Sequence, residues 1–368
     1  MSRGCVRGGV RVGDARMRVV VAMSGGVDSS VAAALLTDAG HDVIGVSMQL
    51  YDAARGGERF GSCCTIDDLH DARRVAHALG IPHYIVNLER RFDEVVVADF
   101  VREYRSGRTP IPCAHCNSDL KFSALLEQAL GFNADRVATG HYARVTRDPD
   151  GSFHLSRGAD EGKDQAYFLF GLTQAQLARA MFPVGGMPKD EVRRIALARG
   201  LRVADKPDSQ EICFVPDGDY AAVVERHLPA GRSGLVVDLQ GRVVGKHGGV
   251  HHFTIGQRRG LGISAADPLY VVKLDADRRL VHVGPRAALD RPGLTASRVN
   301  WVAGSPPAGV IAAEVQIRSR HAAAPARVQA IAEDRMSVEF AAPQSAVTPG
   351  QAAVVFQGDE VLGGGWID

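Results

Sequence analysis

The chain carries a Cys-x-x-Cys pair, Cys113 and Cys116, within the stretch TPIPCAHCNSDLKF. A thiolate is both a nucleophile and a ligand for soft metals. This spacing is therefore compatible with half of a zinc site, a redox pair, a set of cluster ligands or a single catalytic thiol. A further cysteine, Cys213, follows much later in KPDSQEICFV, and neither segment resembles a core strand. We therefore expect loops to carry these thiols to a common site.

A structural zinc and a thioredoxin-like redox site are both disfavoured by the surroundings of the pair. Structural zinc usually takes four ligands from two closely spaced pairs. Here His115 lies too close to both cysteines to be a typical third ligand, and Cys63 and Cys64 are directly adjacent. The flanks do not match the thioredoxin fold, which would also leave a glycine-rich loop near the N-terminus unexplained.

The residues around the pair predict a loop that leads into a helix. Pro110 and Pro112 disfavour helix up to Cys113. The following residues, NSDLKFSALLEQALGF, then predict a helix capped by Asn117 or Ser118. Cys116 would stand just before the helix N-terminus, where the positive end of the helix dipole favours the thiolate.

A second chemical feature is the glycine-rich turn in VVVAMSGGVDSS, between an apolar run and a helical stretch. Gly25 and Gly26 permit positive φ and close backbone approach, and the helix is predicted to begin near Asp28. Backbone N–H groups and the hydroxyls of Ser24, Ser29 and Ser30 would form an anion site. The Gly-Lys-Ser/Thr of a P-loop and the G-x-G-x-x-G of dinucleotide folds are both absent from this loop.

The elements that must position these residues change in type along the chain. From Met17 to about residue 215, strands alternate with helices; two of the strands are HDVIGVSMQL and ADRVATGHYARV, and one of the helices ends at Gly40. This alternation predicts an α/β fold with a parallel sheet. Short strands follow, including HHFTIGQRRGLGI and LYVVKLDADRRLVHVG, and predict a central β-rich domain and a C-terminal β-barrel. The expected boundaries are a disordered extension at 1–16 and domains at 17–215, 216–288 and 289–368.

Composition sets broad limits on the function. Hydrophobic content of 45% and charged content of 23% are ordinary for a soluble globular protein. The net charge of +1 gives no overall basic field, so nucleic-acid binding would depend on local patches. No apolar run approaches the ~20 residues that span a bilayer, and no signal-peptide core is evident, so we expect a reducing, cytoplasmic location and no membrane partner.

The string Ser-Gly-Gly-x-Asp-Ser resembles the pyrophosphate loop of the ATP pyrophosphatase (PP-loop) enzymes, which adenylate a substrate oxygen and release pyrophosphate. The resemblance implies ATP and Mg²⁺, with Asp28 and Ser29 helping to organise the metal and the pyrophosphate. It also places two more distant residues around the adenosine. The implied ATP-binding positions are Ala22, Met23, Ser24, Gly25, Gly26, Val27, Asp28, Ser29, Met48 and Gly140.

Further motifs resemble the bacterial tRNA-specific 2-thiouridylase family. They include TGHYAR, KDQAYFL, FPVGGMPKDEVR, KPDSQEICF, FTIGQRRGLG and the terminal GGGWI, in order from about Met17 to Asp368. The family has a PP-loop α/β domain, a small central domain and a C-terminal β-barrel. Its reaction is ATP-dependent adenylation of the C2 oxygen of the wobble uridine, followed by sulfur transfer.

Carried onto the matching positions, the resemblance gives each thiol a role. Cys213 would hold the incoming sulfur as a persulfide, and Cys116 would release it, leaving a Cys116–Cys213 disulfide. A cysteine desulfurase or a persulfide relay protein would be the sulfur donor. The implied contacts with the anticodon arm of tRNA are Ile111, Pro112, Cys113, His141, Lys163, Asp164, Gln165, Ser319, Arg320 and Gln351.

Two departures from the family pattern keep a second sulfur route open. Ile111 stands where the family commonly has Asn, and Cys113 where many members have Asp. Cys113, Cys116 and Cys213 could then be three ligands of a [4Fe–4S] cluster whose open iron binds sulfide. The remaining alternatives are another PP-loop adenylating synthetase and a non-catalytic nucleotide-binding or RNA-binding module.

Overall fold

The computed structural model describes residues 15–50, 66–208, 212–215, 218–227 and 233–368, together with a short ladder near the N-terminus. The ladder pairs β1 (Val6–Arg7) with β2 (Val10–Arg11). No helix in these residues has the length and apolar content needed to cross a membrane. The other strands of the described residues form three larger sheets.

The first of these is a five-stranded parallel sheet, which confirms the predicted α/β fold. Its order is β5-β4-β3-β6-β9, with β3 at Arg18–Ala22, β4 at Asp42–Gln49, β5 at His83–Asn87, β6 at Arg136–Ala138 and β9 at Ala180–Met181. Val19, Val20 and Val21 of β3 are fully buried, with Val20 in one apolar cluster and its two neighbours in another. The central strand is therefore covered on both faces, as parallel sheets require.

Helices supply that cover. On one face lie α1 (Val27–Asp38), α2 (Ile66–Leu79) and α8 (Lys189–Ala198). On the other face lies α6 (Phe122–Gly131). Gly40 has a φ of 84°, the left-handed conformation that glycine supplies just beyond a helix C-terminus, so α1 ends where the sequence predicts.

The remaining helical segments include two π-helical insertions. The helix α3 (Glu89–Phe92) continues through a π segment, Asp93–Val97, into α4 (Ala98–Arg105), and α5 (Pro112–His115) continues through Cys116–Lys121 into α6. The shorter segments are α7 (Gln174–Leu177), α9 (Tyr220–Glu225) and 3₁₀ turns at Ala166–Phe168, Val250–His252 and Arg286–Leu289. Such insertions recur at functional sites because they redirect side chains.

The stretch ADRVATGHYARV, expected as a single buried strand, is in fact two strands in different sheets. After β6 the chain turns at Gly140, and β7 (Ala143–Arg147) pairs with β8 (Phe153–Arg157) in a hairpin. This hairpin joins the C-terminal sheet, where β8 pairs with the last strand of the chain. At this turn, Gly140 lies against the backbone of Asp28 and Ser29.

The second sheet has four strands in the order β11-β10-β13-β12. These strands are β10 (Gly234–Val237), β11 (Val243–His247), β12 (Tyr270–Asp275) and β13 (Leu280–Gly284). The expectation of a strand in HHFTIGQRRGLGI is wrong, since the segment forms a 3₁₀ turn and loop. Its clustered glycines and polar residues favour turns over a ladder.

The third sheet closes into the predicted C-terminal β-barrel. Besides the β7–β8 hairpin, its strands are β14 (Asp290–Trp301), β15 (Val310–Gln316), β16 (Ala324–Ala332), β17 (Arg335–Ser345), β18 (Ala352–Gln357) and β19 (Glu360–Ile367). Closure comes from β14, which pairs with both β17 and β19. A Cβ on Gly363 would lie 2.5 Å from the carbonyl oxygen of Asn300, so glycine is needed where β19 meets β14.

The barrel fixes the loop that precedes the Cys-x-x-Cys pair. Arg108 donates from Nη2 to the carbonyl oxygen of Ile367 at 2.8 Å, and the Thr109 N–H donates to the carbonyl of Pro349 at 2.9 Å. One turn of helix further on, the ring of His115 stacks on Trp366 with centroids 4.0 Å apart. The thiol-bearing helix is thus attached to the C-terminal barrel.

Candidate active site

A cavity of about 1740 Å³ brings together nearly all of the residues that the sequence analysis selects. The nucleotide positions on its wall are Ala22, Met23, Ser24, Gly26, Val27, Asp28, Ser29, Met48 and Gly140. The thiol and RNA positions on its wall are Ile111, Pro112, Cys113, Cys116, His141, Lys163, Asp164, Gln165, Cys213, Ser319, Arg320 and Gln351. Gly25 is the exception; a Cβ on this residue would point at the backbone of Asp68.

Two glycines allow the nucleotide loop to pack without side chains. Gly25 has a φ of 76°, and a Cβ there would lie 2.2 Å from the carbonyl oxygen of Asp68. A Cβ on Gly140 would lie 2.5 Å from the backbone nitrogen of Ser29. Any larger residue at either position would push the loop out of place.

Serine hydroxyls fix the turn between β3 and α1. The Ser24 N–H donates to the Ser29 Oγ at 3.2 Å, and the Ser30 hydroxyl donates to the carbonyl of Gly26 at 2.8 Å. The turn delivers the chain to the N-terminus of α1, whose first N–H groups have no partner within the helix. Backbone donors and the helix dipole at this N-terminus are the features that favour binding of an anion.

A buried lysine that the sequence analysis missed connects this loop to the segment before Cys213. Lys189 Nζ lies 2.7 and 2.8 Å from the two carboxylate oxygens of Asp28 and 2.8 Å from Asp208 Oδ1. Its side chain is only 8% exposed. In the sequence, the only feature that could have drawn attention to Lys189 was its place within the motif FPVGGMPKDEVR.

Asp208 is the centre of the same charge network. It also accepts from Lys163 Nζ at 2.6 Å and from Arg193 Nη2 at 3.0 Å. Burial alone would raise the pKa of Asp208, but the hydrogen bonds from Lys163 and Lys189 outweigh it and lower the pKa to about 2. The carboxylate therefore stays charged and holds the chain at 206–208 beside the glycine-rich loop.

Tyr142, from the TGHYAR motif, completes the network on the other side of Asp28. Its hydroxyl donates to Asp28 Oδ1 at 2.8 Å. Burial, followed by the nearby Asp28 carboxylate, raises the pKa of Tyr142 well above its usual value. The phenol therefore keeps its proton and holds the carboxylate in position.

A second lysine secures the back of the loop. Lys206 Nζ donates to the carbonyl oxygen of Gly25 at 3.1 Å and contacts Asp68 at 2.5 Å and Asp71 at 2.8 Å. Although burial lowers the pKa of Lys206, the two carboxylates reverse that effect and raise it. The loop and α2 are thereby held together by a charged lysine.

The helix that carries the thiols begins earlier than the sequence predicts. It starts at Pro112, so Cys113 lies in its first turn, and Cys116 begins the π-helical segment rather than preceding the helix. The prediction failed because proline at the first helical position has a suitable φ and loses no required N–H. The dipole argument therefore applies to Cys113 more than to Cys116.

The structure brings Cys116 and Cys213 to one apolar cluster on the cavity wall. Cys116 is buried, Cys213 is half-buried and Cys113 is exposed. The cluster also contains Leu120 and Phe214, and Cys213 packs against its edge. Cys5, Cys63 and Cys64 lie outside the described residues.

His141 forms a neutral part of the wall. Its Nδ1 lies 2.8 Å from the Thr139 hydroxyl, and its ring packs near Phe122 and Phe182. Burial, assisted by the Lys121 ammonium, lowers the pKa of His141 to about 3. At neutral pH this side chain can hydrogen-bond to a base but carries no charge for a phosphate.

Several of the side chains selected for RNA contact are bonded within the protein. Asp164 accepts from Arg157 Nη1 at 2.8 Å and from the Gly158 N–H at 2.9 Å. Gln165 Oε1 accepts from the Tyr142 N–H, and Gln351 Nε2 donates to the carbonyl oxygen of Thr109. These bonds shape the wall around the cavity.

Ser319 and Arg320 occupy a different position. Both are exposed, on the loop that follows β15, at the barrel side of the cavity. A charged side chain at such a rim is suited to a phosphate group.

Three family models match the chain in order. They are described as the tRNA methyl transferase HUP domain (17–217), the tRNA methyl transferase PRC-barrel domain (221–285) and the aminomethyltransferase beta-barrel domain (291–367). Together they cover most of the chain.

Curated relatives match over nearly the full length. The tRNA-specific 2-thiouridylase MnmA of Geobacter metallireducens is 56% identical over 96% of this chain and 97% of its own. The protein of the same name from Geotalea uraniireducens is 54% identical, over 96% and 95%. Among solved structures, a 4-thiouridine synthetase–RNA complex with bound ATP matches with a TM-score of 0.35 and 17% identity, over 57% of this chain and 53% of that one. Because the curated relatives match over nearly their full length, the chain belongs to the tRNA-specific 2-thiouridylase family.

Proposed function

We propose that this chain is an ATP-dependent tRNA 2-thiouridylase acting on the wobble uridine, in the cytoplasm. The observation that carries the proposal is that one cavity holds both a PP-loop anion site and the pair Cys116 and Cys213. Residues 17–215 would perform the chemistry, and 289–368 would help to bind the anticodon arm.

ATP would bind with its phosphates at the turn that precedes α1 and its adenosine near Met48 and Gly140. The carboxylate of Asp28 and the hydroxyls of Ser24 and Ser29 are hard oxygen donors, so the residues present fit Mg²⁺. When bound, Mg²⁺ would neutralise charge on the triphosphate. The lysine and tyrosine bonded to Asp28 orient its carboxylate.

Adenylation solves the leaving-group problem at C2 of uracil. The C2 oxygen attacks the α-phosphorus of ATP, the bond to the β-phosphate oxygen breaks, and pyrophosphate leaves. The C2–O bond is then activated, because AMP is a far better leaving group than oxide. Preorganised donors at the nucleotide loop would stabilise the charge that develops on the phosphates.

Sulfur transfer would follow from the two cysteines. The terminal sulfur of a Cys213 persulfide attacks C2 and AMP departs. The Cys116 thiolate then attacks Cys213 Sγ, the S–S bond to the transferred sulfur breaks, and 2-thiouridine is released. The two cysteines end as a disulfide, so turnover needs a thiol reductant and a persulfide donor, either a cysteine desulfurase or a relay protein.

The base would enter from the barrel side, beside Ile111, Pro112 and Cys113. Reaction at C2 requires the uridine to leave its stack, as in other enzymes that modify bases. The neutral His141 would face the base, and Arg320 would contact phosphate.

The proposal is tested with the full-length chain, ATP, Mg²⁺, unmodified tRNA, a persulfide donor and dithiothreitol. We expect tRNA-dependent release of AMP and pyrophosphate together with 2-thiouridine. Cys213→Ala should abolish thiolation while retaining pyrophosphate release, because adenylation needs no thiol. Wild-type protein that releases no pyrophosphate in response to tRNA would contradict the proposal.

Cys113→Ala is the matched control, since this exposed residue lines the same cavity. With a Cys213 persulfide, the variant should keep thiolation within a few-fold of wild type. If this variant loses thiolation, and anaerobically purified wild type contains iron and acid-labile sulfide, the sulfur is transferred by a [4Fe–4S] route instead of the persulfide route.

A further inference from the structure

A cluster of metal-ligating side chains lies outside the cavity. Glu225, His251 and His252 offer three ligand atoms that lie within 4.8 Å of one another. The Nε2 atoms of both histidines lie 3.2 Å from the same carboxylate oxygen, Glu225 Oε1. No other such group of ligands occurs in the part of the chain that the structure describes.

Local structure accounts for the convergence. Glu225 is the last residue of α9, and the two histidines belong to the 3₁₀ turn Val250–His252, which packs against that helix. Glycine precedes the turn, and a Cβ on Gly249 would lie 2.2 Å from the ring of His251. The absence of a side chain there makes room for the imidazole.

A simple ion pair does not explain this arrangement well. As neutral rings, both histidines can donate from Nε2 to Glu225 Oε1. As two imidazolium ions, they would have ring centroids only 4.2 Å apart. Two imidazolium ions at that distance repel each other. One divalent cation removes the conflict, because it binds neutral imidazoles.

The spacing and donor types match a transition-metal site. Zinc binds imidazole nitrogen and carboxylate oxygen at about 2.0–2.2 Å, which places tetrahedral ligands roughly 3.3 Å apart. Both histidine–glutamate separations are close to that value. We propose that Glu225, His251 and His252 bind a Zn²⁺-like divalent ion, with a water in the fourth position.

The site would fasten α9 to the central part of the chain. Val223 and Val224 of α9 belong to the same apolar cluster as Cys116, and Tyr220 stacks on Tyr104 with centroids 5.1 Å apart. An ion at the end of α9 would therefore stabilise the packing behind the thiols without touching them. Its role would be structural.

The test uses full-length protein stripped of metal with a chelator and then titrated with ZnCl₂ by calorimetry. We expect one equivalent to bind with a Kd of about 1 μM or tighter. Co²⁺ in place of Zn²⁺ should give visible d–d bands of tetrahedral nitrogen and oxygen ligation. Failure of the wild type to bind at this level would overturn the proposal.

Substitutions at the proposed ligands test whether these residues hold the bound Zn²⁺ ion. Glu225→Gln alters an exposed side chain and His252→Gln a half-buried one. Each should weaken Zn²⁺ binding by at least about 10-fold, since the loss of even an outer-sphere partner typically costs that much. His77→Gln, at an exposed histidine of α2, is the control and should leave binding unchanged. Circular dichroism checks that each variant is folded.

The same experiments distinguish Zn²⁺ bound at this site from Zn²⁺ bound by the cysteines. Zinc held by thiols would persist in both ligand variants and would give thiolate-to-cobalt charge-transfer bands with Co²⁺. That outcome would overturn the proposal, as would equal affinity in His252→Gln and His77→Gln.

Discussion

Different forces hold the two ends of the cavity in shape. The nucleotide end is the glycine-rich loop at 24–29 with the residues around it, and the sulfur end is the region of Cys116 and Cys213. At the nucleotide end, Lys189 and Lys206 each join two carboxylates, and Gly25 and Gly140 lie against backbone. Directional bonds and close approaches therefore determine the shape of the loop. Such a site would be preorganised for the triphosphate that the proposed function places there.

At the sulfur end, apolar packing holds the thiols. Cys116 lies among side chains such as Leu120 and Phe100, and Cys213 packs against the edge of that cluster beside Phe214. Apolar contacts are not directional, so this end tolerates changes of shape that the nucleotide end does not. That freedom would suit the sulfur chemistry of the proposed function, in which Cys213 carries a persulfide and later approaches Cys116.

The difference predicts that single changes at the nucleotide end will be the more damaging ones. Gly25→Ala should abolish pyrophosphate release, with kcat/KM reduced more than 100-fold. A Cβ at this position would lie 2.2 Å from a backbone oxygen, and the left-handed φ of 76° disfavours alanine as well. The measurement is kcat/KM for ATP, from tRNA-dependent pyrophosphate release with ATP varied at saturating tRNA.

Gly40→Ala separates the two causes. Gly40 has a similar φ of 84°, but a Cβ there would meet nothing within 4 Å. This variant should lose about 1 kcal/mol of unfolding free energy and keep its activity. If both variants lose activity equally, conformational strain rather than close packing governs the loop.

The next largest effect is expected from Lys189→Met. The change leaves Asp28 and Asp208 without their shared cation, and breaking a buried pair on one side costs about 3–5 kcal/mol. Urea unfolding should show that loss in the free energy of unfolding. Pyrophosphate release should fall too, because Asp28 loses its orientation.

Lys163→Met is the matched control, since Lys163 bonds to the same Asp208 but its side chain is 35% exposed, against 8% for Lys189. An exposed pair contributes about 0–1 kcal/mol. Equal losses in the two variants would show that burial does not govern the strength of this network.

Acid should destabilise the cavity wall through His141. Its pKa is lowered to about 3 in the folded protein, so below the unfolded value near 6.5 the unfolded chain binds the proton more readily. Stability from this group is therefore complete above about pH 6.5 and is lost as pH falls towards 3.

His141→Gln should flatten the fall in unfolding free energy between pH 6.5 and 4, as measured by urea titrations at each pH. His77→Gln, at an exposed histidine, should leave the slope unchanged. A wild-type slope that survives in His141→Gln would assign the effect to another group.

The sequence was sufficient for features that depend on local residue order. The loop around Gly25 and Gly26, the helix end at Gly40 and the alternating strands of the barrel all follow from backbone preferences and periodicity. The start of the thiol helix was missed because Pro112 both restrains the preceding residue and suits the first helical position.

The charge network required the structure. Lys189 and Asp208 are far from Asp28 in the sequence, and no local pattern distinguishes a buried lysine from the many exposed ones. The pairing arises only when α8 packs beside α1. Long-range polar contacts of this kind are not encoded by periodicity, whereas the apolar faces that bring them together are.

The smallest effect should come from the rim of the cavity on the barrel side. Arg320 is exposed there, and loss of one phosphate contact should reduce the slope of log K for tRNA against log salt by about 0.7–0.9. Arg320→Gln should therefore weaken tRNA binding modestly, raise KM for tRNA and leave both kcat and stability unchanged.

The control is Arg327→Gln, which changes an exposed arginine on β16 that is not on the cavity wall and should leave the slope as it is. Equal slopes for Arg320→Gln and wild type would move the RNA contact away from the barrel loop. Because Arg320 lies at the rim rather than beside the thiols or the glycine-rich loop, a fall in kcat would mean that the rim also positions the base.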